Sequence, residues 1–125
     1  LISKQEFGNH DELDFEFIGT KGLIQTNIFT NDGGNREKRI QLGFDPSKDF
    51  HTYEIDLSSR RVVFRIDNKP IRVFLHSSRR NYISKPLHVE ASIWNGTWAG
   101  VVDWKKGPFK AYYQGFYIQG TICNS

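Results

Sequence analysis

The sequence predicts an all-β protein, a sandwich or jelly roll of about eight or nine short strands. Three observations lead there. Apolar and polar residues alternate with a period of two in short runs. Turn chemistry, such as Asp32-Gly33-Gly34-Asn35 and Asp45-Pro46-Ser47-Lys48, divides those runs. No segment of helical length carries a clean 3.6-residue pattern.

In chain order, the first run is residues 10–17, HDELDFEF. On a strand, His10, Glu12, Asp14 and Glu16 share one face. Asp11, Leu13, Phe15 and Phe17 share the other, and its three apolar members form a core-facing row. Next, Ile40, Leu42 and Phe44 alternate with Arg39, Gln41 and Gly43. Val62, Phe64 and Ile66 alternate with Val63, Arg65 and Asp67. After the turn Asp67-Asn68-Lys69-Pro70, the residues Ile71, Val73 and Leu75 continue the pattern. A last strand is expected with Val89, Ala91 and Ile93 on one face and His88, Glu90, Ser92 and Trp94 on the other. The chain shows no internal repeat and no low-complexity linker.

Length and composition bound the rest. At 125 residues the chain is at most one domain. Its 38% apolar and 14% aromatic content places it with globular chains. No apolar run approaches the roughly 20 residues of a membrane helix, so no membrane partner is expected. No signal peptide opens the sequence. Leu1 and the lack of Met suggest a piece of a longer protein. The net charge of +3 comes from scattered pairs, Lys38-Arg39, Arg60-Arg61, Arg79-Arg80 and Lys105-Lys106. They read as solvated faces, and no nucleic-acid partner is expected. Cys123 is alone, and any disulfide partner would lie beyond Ser125. His51, His76 and His88 share no ligand spacing, so no metal site is expected. There is no Gly-rich phosphate loop and no Ser or Cys nucleophile motif.

The most informative segment is the acidic face of HDELDFEF. Side chains at i and i+2 on a strand lie roughly 6–7 Å apart. Like charges that close repel, and partial burial raises at least one pKa. A glycosidase needs that inequality, with one carboxylate ionised as nucleophile and another protonated as acid. Glu12 and Glu16 have Cα atoms about 13 Å apart on a flat strand, while retaining enzymes need carboxyl groups about 5–5.5 Å apart and inverting ones about 6.5–9.5 Å, and the sequence permits either outcome. The side chains would have to lean together across Asp14. On the pattern alone, a solvated strand face is an equally good reading. His10 either orients a carboxylate or closes a hydrogen bond at the strand start.

HDELDFEF followed by Ile18-Gly19 resembles the signature of the plant xyloglucan endotransglucosylase/hydrolases, of glycoside hydrolase family 16. The likeness continues, in order, through Gln25-Thr26-Asn27-Ile28-Phe29, Gly34-Asn35-Arg36-Glu37, Phe44-Asp45-Pro46, Asp49 to Tyr53, Asp67 to Phe74, Ser92 to Asn95, Asp103-Trp104 and Gly115-Phe116. It covers nearly the whole chain. It implies a concanavalin-like jelly-roll β-sandwich. Residues 1–125 would be a catalytic domain incomplete at its N-terminus and lacking the C-terminal extension. The resemblance implies that Glu12 is the nucleophile, that Glu16 is the general acid and base, and that Asp14 tunes them. Gln25, Thr26, Asn27, Asn35, Arg36 and Glu37 match xyloglucan-binding segments. Trp98 and Gly100 match an acceptor-side loop. No cofactor is implied. The implied partners are xyloglucan or a related β-glucan and an oligosaccharide acceptor. A monomer secreted to the plant cell wall or apoplast is implied as well.

Residue by residue, blander readings stand beside these. Asn35 fits a turn, Arg36 and Glu37 fit surface charges, and Trp98 fits core packing. The chain also departs from the family pattern. The stretch Thr20-Lys21-Gly22 lacks a glycosylation sequon, whereas Asn95-Gly96-Thr97 has one beside Trp98. The loop from Asn95 to Asp103 is short, Glu90 replaces an aromatic, and Thr121 stands near a usual Cys. Two alternatives therefore stand beside the transglycosylase, an inactive glucan-binding form and a mixed-linkage β-glucanase.

Overall fold

A computed structural model describes residues 1–4, 9–19, 21–78 and 80–121. Cys123 lies outside them. Six strands form two three-stranded antiparallel sheets. The first joins β1 (Asp11–Ile18), β2 (Leu23–Thr30) and β3 (Lys38–Gln41) in that order. The second joins β4 (Tyr53–Leu57), β5 (Arg61–Ile66) and β6 (Lys69–Leu75). The all-β reading of the sequence stands, as does the jelly-roll class.

The hairpins follow from local chemistry. Between β5 and β6, Asp67 and Asn68 both take positive φ (47° and 65°), which a two-residue hairpin of matching twist requires. Lys69 and Pro70 therefore belong to the strand rather than to the turn. Pro70 has no N–H for a ladder and sits on the edge strand, opposite Arg65, where the register shifts. The turn at Asp45 forms as expected, with its carboxylate accepting from Ser47 N–H (2.9 Å) and Oγ–H (2.7 Å).

The core lies between the sheets. Leu13 and Ile28 of the first meet Val62 and Phe64 of the second, all four fully buried. Phe15 packs its ring edge against Phe64 (5.3 Å) and Tyr53 (5.6 Å). Phe17 lies on the same face and touches Tyr53 (4.8 Å), but near the end of the strand it is about half exposed. Asp11 shares this face and is buried. It accepts N–H groups from Ser84 (2.7 Å) and Lys85 (2.9 Å), which anchors the later segment over β1.

Two expected strands differ. The run through Ile40 ends at Gln41 rather than reaching Leu42 and Phe44. Gly43 and the Asp45 turn break the ladder, and Phe44 stacks on His51 at 3.8 Å. The alternation from Val89 to Ile93 forms no strand. A strand needs a neighbour for its N–H and C=O groups, and only His88 finds one, bridging Ile2. The strand count among the described residues is therefore six, not eight or nine.

Candidate active site

The site is one face of the first sheet, built by strand parity. Glu12, Asp14 and Glu16 of β1 stand opposite Phe29, Asn27 and Gln25 of β2, and Gln25 stands opposite Arg39 of β3. In-register antiparallel neighbours share a face, so three carboxylates, two amides, a guanidinium and a ring line one surface. His10 extends it by one step beyond β1.

Hydrogen bonds then differentiate the acids. His10 Nε2 lies 2.7 Å from Glu12 Oε2. The Gln25 amide donates from Nε2 to Glu16 Oε2 at 2.6 Å, while its Oε1 accepts from Arg39 Nε at 2.8 Å. The guanidinium has only donors, so it fixes which end of the Gln25 amide faces Glu16. Asp14 is the most perturbed of the row. Burial, then the charge of Glu12 and a hydrogen bond to it, push its pKa up to about 8. Burial and the neighbouring carboxylate thus favour the protonated form of Asp14, which spares the row a second charge beside Glu12.

The other expected contacts divide. Asn27 faces the site. Its Oδ1 accepts from the N–H groups of Ile28 (2.8 Å) and Arg36 (3.1 Å), and its Nδ2 donates to Glu37 Oε1 at 3.4 Å. Asn35 is exposed at φ 59°, a turn conformation Asn tolerates. Thr26, expected to touch substrate, lies on the opposite, core-facing side and is fully buried. Its hydroxyl and carbonyl accept from Arg72 Nη1 (2.8 and 2.9 Å). On a strand, the middle member of Gln25-Thr26-Asn27 must point away from its neighbours. The Arg36 guanidinium is also turned inward. It donates to Asp32 (2.7 and 3.0 Å) and to the carbonyls of Ile28 (3.1 Å) and Gly34 (2.9 Å). That pairing holds the Asp32 carboxyl well below the usual carboxylate range.

Trp98 and Gly100 lie on a separate loop, at and just after a short 3₁₀ turn, Thr97–Ala99. The Arg39 guanidinium lies 5.9 Å from the Trp98 ring centre, which ties this loop to the Glu16 end of the row. Trp98 is 42% exposed, so part of its ring is free to stack on a ligand. Asn95 is exposed beside it, and Asn95, Gly100 and Trp104 share the wall of a shallow hollow of about 240 Å³.

Known proteins resemble this chain along nearly all of its length. The sequence profile of Glycosyl hydrolases family 16 matches residues 1–114. The chain belongs to that family. Among curated relatives, "Putative xyloglucan endotransglucosylase/hydrolase protein 1" of Arabidopsis thaliana is 47% identical over 93% of this chain and 43% of its own. "Xyloglucan endotransglucosylase protein 6" of Diospyros kaki is 45% identical over 92% of this chain and 43% of its own. The chain thus spans under half the length of these relatives. Among solved structures, a Bacillus licheniformis β-glucanase matches with a TM-score of 0.55 and 30% identity, over 59% of this chain and 36% of that one.

For a family 16 chain, the informative surprises are Arg39 and Phe29. Arg39 lies in no family segment, and Phe29 ends one without being marked as a site residue. A signal for Arg39 was present in the alternation, because Ile40 faces the core and its neighbour must then face the acids. The place of Phe29 in the site comes from the hairpin register, which sets it opposite Glu12.

Proposed function

We propose that the protein carrying this chain is a retaining xyloglucan endotransglucosylase or hydrolase that remodels the plant cell wall. The observation that carries this reading is the differentiated acid row, in which burial and Glu12 raise the Asp14 pKa and the Gln25 amide is bonded to Glu16. The relatives at 45–47% identity support xyloglucan as the substrate.

In the first step, Glu12 attacks the anomeric carbon of a backbone glucosyl unit. A C–O bond to the carboxylate forms as the glycosidic bond breaks, and Glu16 gives its proton to the departing 4-oxygen. Bonding of Gln25 to Oε2 leaves Oε1 of Glu16 to carry that proton. The proton on Asp14 donates to Glu12 and limits charge repulsion along the row. In the second step, Glu16 takes a proton from the acceptor hydroxyl, whose oxygen displaces Glu12. A glucan 4-hydroxyl gives transfer and water gives hydrolysis. Asn27, Asn35 and Glu37 are the proposed donor-side contacts. Trp98 and Gly100 are the proposed acceptor-side contacts. Arg36 and Thr26 act by shaping the loop and strand that carry the others. The protein works as a secreted monomer, and Asn95 is its glycosylation candidate.

The test is transfer from xyloglucan to labelled xyloglucan oligosaccharides by the full-length gene product, with Glu12→Ala alongside. Loss of the nucleophile should remove at least about 10⁴-fold of the rate. Transfer retained by Glu12→Ala would sink the assignment. The similarity to a β-glucanase favours a second reading, so mixed-linkage β-glucan is assayed in parallel. Faster turnover of that polymer would select it.

A further inference from the structure

We propose that His10 is a positioning residue for the nucleophile, a role that rests on the retaining mechanism above and extends it. Its backbone and its ring are both held. The His10 backbone carbonyl accepts from Asn31 N–H at 3.0 Å, which pins the residue to the β2 end of the hairpin. The imidazole stacks on Phe29 with centres 4.9 Å apart and planes 24° from parallel. Phe29 is itself wedged against Gly34, where even a methyl group would come 2.7 Å from the ring.

Held this way, the imidazole can present one nitrogen in one place. Nε2 lies 2.7 Å from Glu12 Oε2, with the histidine side chain 12% exposed. A carboxylate only accepts, so the contact assigns a hydrogen to Nε2. With Asp14 donating from the next position on the same face, Glu12 is gripped by two donors. A glutamate on an open strand face has three rotatable bonds. A nucleophile must be within about 3–3.5 Å of the carbon it attacks and correctly aimed. Two fixed donors remove most of that freedom before substrate arrives. A histidine that only closed the start of the strand would need its carbonyl bond but not a ring wedged between Phe29 and Glu12.

The test uses the full-length gene product, an aryl glycoside of a xyloglucan oligosaccharide as donor, and three proteins: wild type, His10→Phe and His10→Gln. The Phe variant keeps a ring against Phe29 and loses the donor. The Gln variant keeps an amide N–H near the position of Nε2. The rate of covalent glycosyl-enzyme formation, read from the released phenol in a single turnover, should fall about 10- to 100-fold in His10→Phe. The donor KM should stay within about twofold, and His10→Gln should recover most of the rate. A purely structural role would lower the melting temperature of both variants without separating these steps. In the wild type, ¹⁵N NMR should find the hydrogen on Nε2. A wild-type rate in well-folded His10→Phe overturns the proposal, as does an Nε2 found without a hydrogen in the wild type. The NMR result stands even if His10→Phe fails to fold. Absence of turnover in the wild type would instead overturn the functional reading on which the proposal rests.

Discussion

Asp14 sits between Glu12 and Glu16, the proposed nucleophile and acid, and its charge state sets the electrostatics of the row. Its folded pKa of about 8 exceeds its ordinary value of 3.8, because burial and Glu12 disfavour a second charge. Between those values the folded chain keeps a proton that the unfolded chain releases. The stabilisation is therefore complete below about pH 4 and is lost as the pH rises through about 8. Asp14→Asn keeps a donor toward Glu12 and cannot ionise. Its unfolding free energy should lose this component of the pH dependence, read by urea denaturation of both proteins at pH 4, 6 and 8. Parallel pH dependences in the two proteins would refute the raised value. Arg39 acts one step further out, by aiming the Gln25 amide at Glu16. Arg39→Leu lets that amide turn and should lower kcat for transfer about 10- to 100-fold. Arg39→Lys should not restore it, since an ammonium lacks the fixed planar geometry of the guanidinium. Steady-state kinetics with a xyloglucan donor would decide, and full activity in Arg39→Lys would show that charge alone matters.

At the scale of elements, Arg72 of β6 is the tie between the two sheets. It crosses beneath β2, donates to Thr26 (carbonyl and hydroxyl) and to the Arg36 carbonyl at 2.6 Å, and lies over the Phe64 ring. It thereby anchors both β2 and the loop bearing Asn35 and Glu37. Arg72→Met fills the same space and leaves two partly buried carbonyls without their donor. It should cost about 2–4 kcal/mol in chemical denaturation, and a loss under about 0.5 kcal/mol would contradict the tie. The same elements show which features a sequence can carry. HDELDFEF declares its two faces because its alternation is strict and local. Gln25-Thr26-Asn27 has no such marker. Its family resemblance treats the three as a unit, while the pleat sends Thr26 to Arg72, 46 residues on. The inward turn of Arg36 depends on the fold of its loop, although its partner Asp32 lies only four residues back. The alternation from Val89 to Ile93 describes two faces and says nothing about whether a neighbouring strand is present.

Across the whole molecule, order and burial fall away along the chain. The two sheets occupy residues 11–75, and every residue buried in the core lies within them. Beyond residue 100, Val101, Trp104, Tyr112, Phe116, Tyr117 and Ile118 are each at least 65% exposed. A monomeric surface rarely leaves so many large apolar side chains to water. The outer face of the second sheet adds Val73 and Leu75, both more than half exposed. Strand β6 is also an edge, with a row of N–H and C=O groups open to another chain. Only the charged residues interspersed among these groups oppose association, and the net charge of +3 is small. The 125-residue chain produced alone should therefore self-associate, bind a hydrophobic dye, and show no transfer activity. Size-exclusion chromatography with light scattering, together with dye fluorescence, would check this. A monodisperse, dye-free monomer with a single cooperative unfolding transition would mean that the two sheets suffice as a folding unit. The acid row, which lies on β1 with its partners on β2 and β3, could then be studied without the rest.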